Sequence, residues 1–177
     1  MTLEIKSNLL TYAVGFYAQE PIKQKCLELQ DVYGANVNTI LWLCWLDSNR
    51  LHIPPAVLDE AVVIVGGINQ ELLSGLRELR TKLIASSSFT RVQEQLVRKH
   101  ILAAELAIEK VLLQRLQDLT SRQNPVGPEE ECLSLFDYLD RFAIERSGEV
   151  AAYFLEEGRQ FGYNLEAQEQ QEAAASH

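Results

Sequence analysis

The sequence predicts an all-α fold, an irregular bundle of about six to seven helices. Three observations carry that prediction. Apolar residues recur at three- and four-residue spacing along most of the chain. Helix-start and helix-stop residues (Pro21, Gly34, Asn36, Pro54, Pro55, Pro128) fall between those stretches. One run, residues 40–46 (ILWLCWL), is apolar around its whole circumference, which marks a helix enclosed by neighbours.

The first helix is expected over residues 7–18, capped by Ser7 or Asn8, with Leu9, Leu10, Ala13, Phe16 and Tyr17 inward. Glu20-Pro21 interrupts it, because a residue before proline avoids the helical region. Pro21 suits the first turn of a second helix, whose apolar positions are Ile22, Cys26, Leu29 and Val32. Gly34 sits where a left-handed cap ends a helix. Asn36 caps the third helix, which carries Trp42 and Trp45 and ends at Asp47, Ser48 and Asn49.

Pro54-Pro55 opens a fourth helix. Val62, Val63, Ile64 and Val65 suit a strand by composition and Gly66-Gly67 a turn, yet periodicity decides for helix. Leu58, Val62, Val65, Ile68 or Asn69, Leu72, Leu76, Leu79 and Leu83 keep step through the glycines. One long helix is therefore expected, thinned or kinked at Gly66-Gly67 where another helix approaches; a break there is the alternative. The two glycines cost about 2 kcal/mol against alanine, which tertiary packing offsets. After a loop at Ser86, Ser87 and Ser88, a fifth helix runs over residues 90–119. Its face holds Val97, Ile101, Ala104, Ile108, Leu112, Leu116 and Leu119, and it should pack antiparallel on the fourth.

A polar linker follows, with Pro125. Gly127-Pro128 and three glutamates form a helix start, and Cys132, Leu135, Phe136, Leu139, Phe142 and Ala143 form a stripe. Gly148 breaks it before a short helix at residues 150–161. Residues 1–163 are read as one helical domain: a core to residue 120, then C-terminal helices over 128–163. Residues 164–177, rich in Ala, Glu and Gln, are expected to be disordered.

At 177 residues and 47% hydrophobic content the chain can bury a core. A net charge of −9 argues against broad nucleic-acid binding and an anionic membrane surface. No signal peptide is expected from the N-terminus MTLEIKSNLL, and the longest apolar run is far short of the about 20 residues that span a bilayer. Three widely spaced cysteines, Cys26, Cys44 and Cys132, suggest neither zinc nor disulfides. A cytoplasmic protein without cofactor or metal is expected.

Four constellations are candidates for function. Gln30, Asp31, Asn36 and Asn38 surround the Gly34 turn. There Asp31, at the negative end of a helix, should accept backbone N–H bonds from the third helix and bracket the two helices, or else contact a ligand. Trp42 and Trp45 are read as core, with a pocket wall as the alternative. Arg77 and Arg80 share one helix face, and Glu105 and Glu109 another. Antiparallel packing sets them at matching distances from the hairpin loop, as an interhelical ion-pair lattice or as a pocket whose arginines hold an anion. Arg77, Arg80, Lys82, Arg91, Arg98 and Lys99, against Glu78 and Glu94, make a locally basic stretch. The histidines (His52, His100, His177) form no metal motif, Asp137 and Asp140 read as a solvated face, and no nucleophile or phosphate-loop motif is present.

The segments FYAQEPIKQKCLELQDVYGANVNTILWLCWL, LRELR and AAELAIEKVLLQRL resemble a family of proteobacterial hypothetical proteins. Its pattern runs LY-x-x-P-x-V…CL-x-LQD-x-x-G-x-x-VN-x-LL-x-x-LWL, then LR-x-x-R and AEL-x-x-E, over residues 9–120. The chain departs from it in having Ser-Gly before Leu76 in place of a proline, and Ile22 where Gly-Val is usual nearby. The resemblance implies a bacterial cytoplasmic protein and supplies no catalytic residues. The function expected is a non-catalytic interaction or regulatory module with a protein partner. A small-molecule site lined by Trp42, Trp45, Arg77, Arg80, Glu105 and Glu109 is the alternative, and nucleic-acid or ribosome-associated binding a weaker one.

Overall fold

The computed structural model describes residues 7–122 and 134–175, and these are all-α. The helices are α1 (Leu9–Tyr17), α2 (Glu20–Tyr33), α3 (Val37–Ser48), α4 (Pro55–Ile68), α5 (Ser74–Ala85), α6 (Arg91–Arg122), α7 (Ser134–Asp140) and α8 (Ser147–Ala175). A π turn, Asn69–Leu73, joins α4 to α5, so those two and the turn form one continuous rod. The expected linker, the Gly127-Pro128 helix start and Cys132 lie outside the described residues, as do His177 and the first six residues.

Local chemistry sets the helix ends. Asn8 Oδ1 accepts from the Leu10 N–H at 2.8 Å and caps α1. Pro21 stands in the first turn of α2, and Gly34 closes that helix at φ 78°, a left-handed angle that glycine adopts without strain. Asn36 Oδ1 accepts from the Thr39 N–H at 3.1 Å and starts α3.

Helix α3 is the central rod. Every residue from Thr39 to Asp47 is buried. Both indoles are enclosed and satisfied: Trp42 Nε1 donates to Thr120 Oγ1 at 3.0 Å and Trp45 Nε1 to the Ser7 carbonyl at 2.9 Å. One apolar cluster draws on α1, α2, α3, α4, α7, the C-terminal half of α6 and the N-terminal half of α8. The tryptophans are core, each 0% exposed, and neither lines the cleft that Thr39 of α3 borders.

Two expectations about the later helices need correction. The short helix at residues 150–161 is in fact α8, which runs unbroken to Ala175, so residues 164–175 are helical and not a disordered tail. Low apolar content argued for disorder, but Ala, Glu and Gln are strong helix formers and extend a helix already nucleated on the core. Gly158 and Gly162 seat α8 against the bundle. A Cβ on Gly158 would stand 2.6 Å from the Tyr12 hydroxyl and 3.3 Å from Cys44 Cβ, and one on Gly162 would stand 3.1 Å from Ser48 Cβ. Arg159 ties the same stretch to α3 through both oxygens of buried Asp47, at 2.6 and 3.0 Å.

The rod is continuous through Gly66-Gly67, but the irregularity lies further on. Among the described residues nothing comes within 4 Å of a Cβ built on either glycine, so none of the described helices approaches there. The extra residue of the π turn instead shifts the helical phase. Ser74 N–H bonds to the Asn69 carbonyl, five residues back. Leu72 and Leu79, assigned to the buried stripe by periodicity, are 50% and 52% exposed, while Leu73 is buried and Arg77 and Arg80 turn inward.

Candidate functional site

The π turn determines which residues meet across the α5–α6 hairpin. Arg80 grips Glu105 with two hydrogen bonds, Nε to Oε1 at 2.9 Å and a terminal nitrogen to Oε2 at 3.3 Å. Glu105 is almost fully buried. Arg77 reaches Glu109 Oε1 at 3.1 Å, and its other terminal nitrogen donates to Asn69 Oδ1 at 3.0 Å, which pins the π turn to α5. The four charged residues form an interhelical lattice, and each carboxylate is already taken by a guanidinium. Arg77 and Arg80 therefore leave the basic stretch, whose exposed remainder is Lys82, Arg91, Arg98 and Lys99. Of these Lys82 pairs with Glu78 at 2.6 Å.

The polar knot around Gly34 is divided. Gln30 and Asn36 line a cleft of ≈ 320 Å³ with Thr39, Asn69, Arg77 and Tyr138. Val62, Val65 and Phe142 supply its apolar wall. Asn38 is half-buried and does not line it. Asp31 does not bracket the helices: it is exposed, and its carboxylate accepts one long bond, 3.5 Å, from Gln30 Nε2. The bracket is made by Asn36 and by Tyr138, whose hydroxyl accepts the Asn36 N–H at 2.8 Å. Asp31 lies one turn before the left-handed cap, and its exposure leaves the carboxylate in water, where the helix dipole costs it little.

Tyr138 and Thr39 are polar cleft residues that the sequence reading missed, while Asn69 stood in it only as an alternative to Ile68 in the apolar stripe. Tyr138 sits in the FDYLD segment, where alternating acids drew attention to the solvated face and away from the buried phenol. Burial pushes that phenol above its ordinary range, opposed by the Asn36 N–H, Thr39 and Arg141, so it stays protonated at neutral pH. Thr39 is 1% exposed, and its hydroxyl stands beside that of Tyr138.

Burial pushes the Cys26 thiol up to about 12, which keeps it a neutral, inert part of the core. Among the described residues no three His, Cys, Asp or Glu side chains are placed to hold a metal ion. No helix among them is long and apolar enough to cross a membrane.

Fold and site together define an all-α bundle with a buried tryptophan helix and an ion-paired hairpin. The chain belongs to the family described as Protein of unknown function (DUF2390), whose model matches residues 8–116. That span takes in the LQD…G…VN block and all four charged residues of the hairpin lattice. No curated protein and no solved structure matches the chain.

Proposed function

We propose that this protein is a non-catalytic interaction module that presents the free end of the α5–α6 hairpin to a protein partner. The observation that carries the proposal is the exposure of Ile84, Phe89, Val92 and Leu96 at that end. They stand beside exposed Arg91, Arg98 and Lys99, away from the main apolar cluster, in a chain of net charge −9. Apolar side chains that solvent would otherwise wet, rimmed by an excess of basic charge over the half-buried Glu94, suit an acidic amphipathic segment. The closed Arg–Glu pairs support the same reading, since both guanidinium groups of the lattice are already engaged.

The test is cross-linking and affinity capture with the full chain, compared with Phe89→Ser/Leu96→Ser and with Arg98→Glu/Lys99→Glu. A partner captured by the parent and lost from both variants supports the proposal. Capture that both variants leave unchanged removes it.

A second reading has its own observation. Gln30, Asn36, Thr39, Asn69 and Tyr138 bring polar groups to one cleft of ≈ 320 Å³, at the small end of ligand sites. A small polar ligand seated there would be detected as a melting shift that Thr39→Val abolishes.

A further inference from the structure

We propose that the cleft between α2, α3, α4 and α7 takes a small uncharged carboxamide with an apolar body. This rests on the second reading of function above and gives its ligand a chemistry. Gly66 marks the site. A glycine inside a helix costs stability against alanine, and it suits a place where a side chain would be in the way. Among the described residues nothing stands within 4 Å of a Cβ built on Gly66, so no neighbouring element requires it. Gly66 does line the cleft, beside Val62, Val65 and Asn69. A larger residue would take up that space, and glycine leaves it open.

The side-chain groups around the space are unequally matched. The Asn36 amide is oriented by the Thr39 N–H and the Asn69 amide by the Arg77 guanidinium, both of which can only donate. Each amide therefore has its oxygen engaged and its NH2 left over, and neither NH2 donates to a described protein group. The Thr39 and Tyr138 hydroxyls stand side by side, and the phenol oxygen accepts the Asn36 N–H at 2.8 Å. Whichever hydroxyl donates to the other, one O–H remains. Against these donors stands one amide oxygen, that of Gln30, whose Nε2 turns to Asp31. A carboxamide answers both needs: its carbonyl accepts from the asparagines and its N–H donates to Gln30. Among the described residues Arg77 is the one charged group that lines the cleft, and Glu109 offsets it at 3.1 Å. The C-terminal end of α2 and the N-terminal end of α3, opposite in sign, meet at the same turn. The field therefore favours neither a carboxylate nor an ammonium group. Val62, Val65 and Phe142 receive the apolar body.

NMR of the full chain tests this with three probes of one shape, benzamide, benzoate and benzylamine, at about 1–20 mM. Benzamide is expected to shift the side-chain NH2 signals of Asn36 and Asn69 saturably and to bind at least about tenfold more tightly than the other two. Asn36→Asp keeps the helix cap and Asn69→Asp keeps the acceptor for Arg77, but each puts an oxygen where the NH2 stood. Each should weaken benzamide about tenfold or more, with the fold intact by circular dichroism. Gly66→Leu should fill the cleft and abolish binding, with melting unchanged or raised. Benzoate or benzylamine binding as well as benzamide overturns the inference and leaves the cleft reading standing. So does benzamide binding that survives both Asp variants. Benzamide binding that survives Gly66→Leu, or no shift at Asn36 and Asn69 with any probe, overturns both.

Discussion

Truncating Glu105 to alanine should loosen the hairpin while sparing the bundle. The carboxylate is almost fully buried and accepts two hydrogen bonds from Arg80, whose side chain is 29% exposed. Removing one member of a fully buried pair costs roughly 3–5 kcal/mol. Here the abandoned guanidinium can turn toward water, so the loss falls to about 1.5–3 kcal/mol, the range for hydrogen bonds to charged groups. If hairpin and bundle melted together, about 2 kcal/mol would lower Tm by roughly 4–8 °C in a chain of this length. But Leu83 and Ile101 close the hairpin on itself, apart from the main apolar cluster, so much of the loss should appear as local opening. Hydrogen exchange across α5 and the first half of α6 should then accelerate roughly thirtyfold, with α3 unchanged. Glu105→Gln keeps one acceptor and should fall between. Arg80→Ala combined with Glu105→Ala should cost less than the sum of the singles, by an interaction energy of about 1–2 kcal/mol. A melting curve and an exchange pattern both identical to the parent would refute the reasoning.

Three further outcomes are expected. Gly158→Ala should destabilise by about 1–3 kcal/mol in chemical denaturation, despite the better helix propensity of alanine, because its Cβ would crowd the Tyr12 hydroxyl and Cys44. Alkaline pH should lower stability through Cys26. Below the unfolded thiol's value, 9.0, both states hold the proton and nothing changes; between there and about 12 only the unfolded chain releases it, so stability falls as pH rises. Cys26→Ala, compared over that window, should flatten the fall. Deleting Gln70 removes the extra residue of the π turn and rotates α5 by about 100°. Leu72 and Leu79 should then swing inward, and the coupling between Arg80 and Glu105 measured by double-mutant cycle should vanish.

Much of the architecture was legible in local chemistry. Asn36, Gly34 and Pro21 have only a few backbone conformations open to them, so they mark helix ends wherever they stand. The run at residues 40–46 has no polar face, so it had to lie at the centre. That Arg77 and Arg80 stand level with Glu109 and Glu105 also followed from antiparallel packing, since a short loop leaves little choice of register; that they face inward did not.

The orientation of residues around α5 was decided only by the tertiary structure. Periodicity carried the stripe from Val65 straight to Leu72 and Leu79, because a regular helix repeats every 3.6 residues and no single residue announces a π turn. In the folded chain α6 offers two carboxylates on its inner face. Meeting them with guanidinium groups outweighs the small cost of one irregular turn, and so the leucines face outward. The cleft has the same origin: Asn36 and Tyr138 lie 102 residues apart and meet only because α3, α4 and α7 close around one core. Local sequence determined where helices begin, end and bury; long-range pairing determined which face each one turns toward its neighbour.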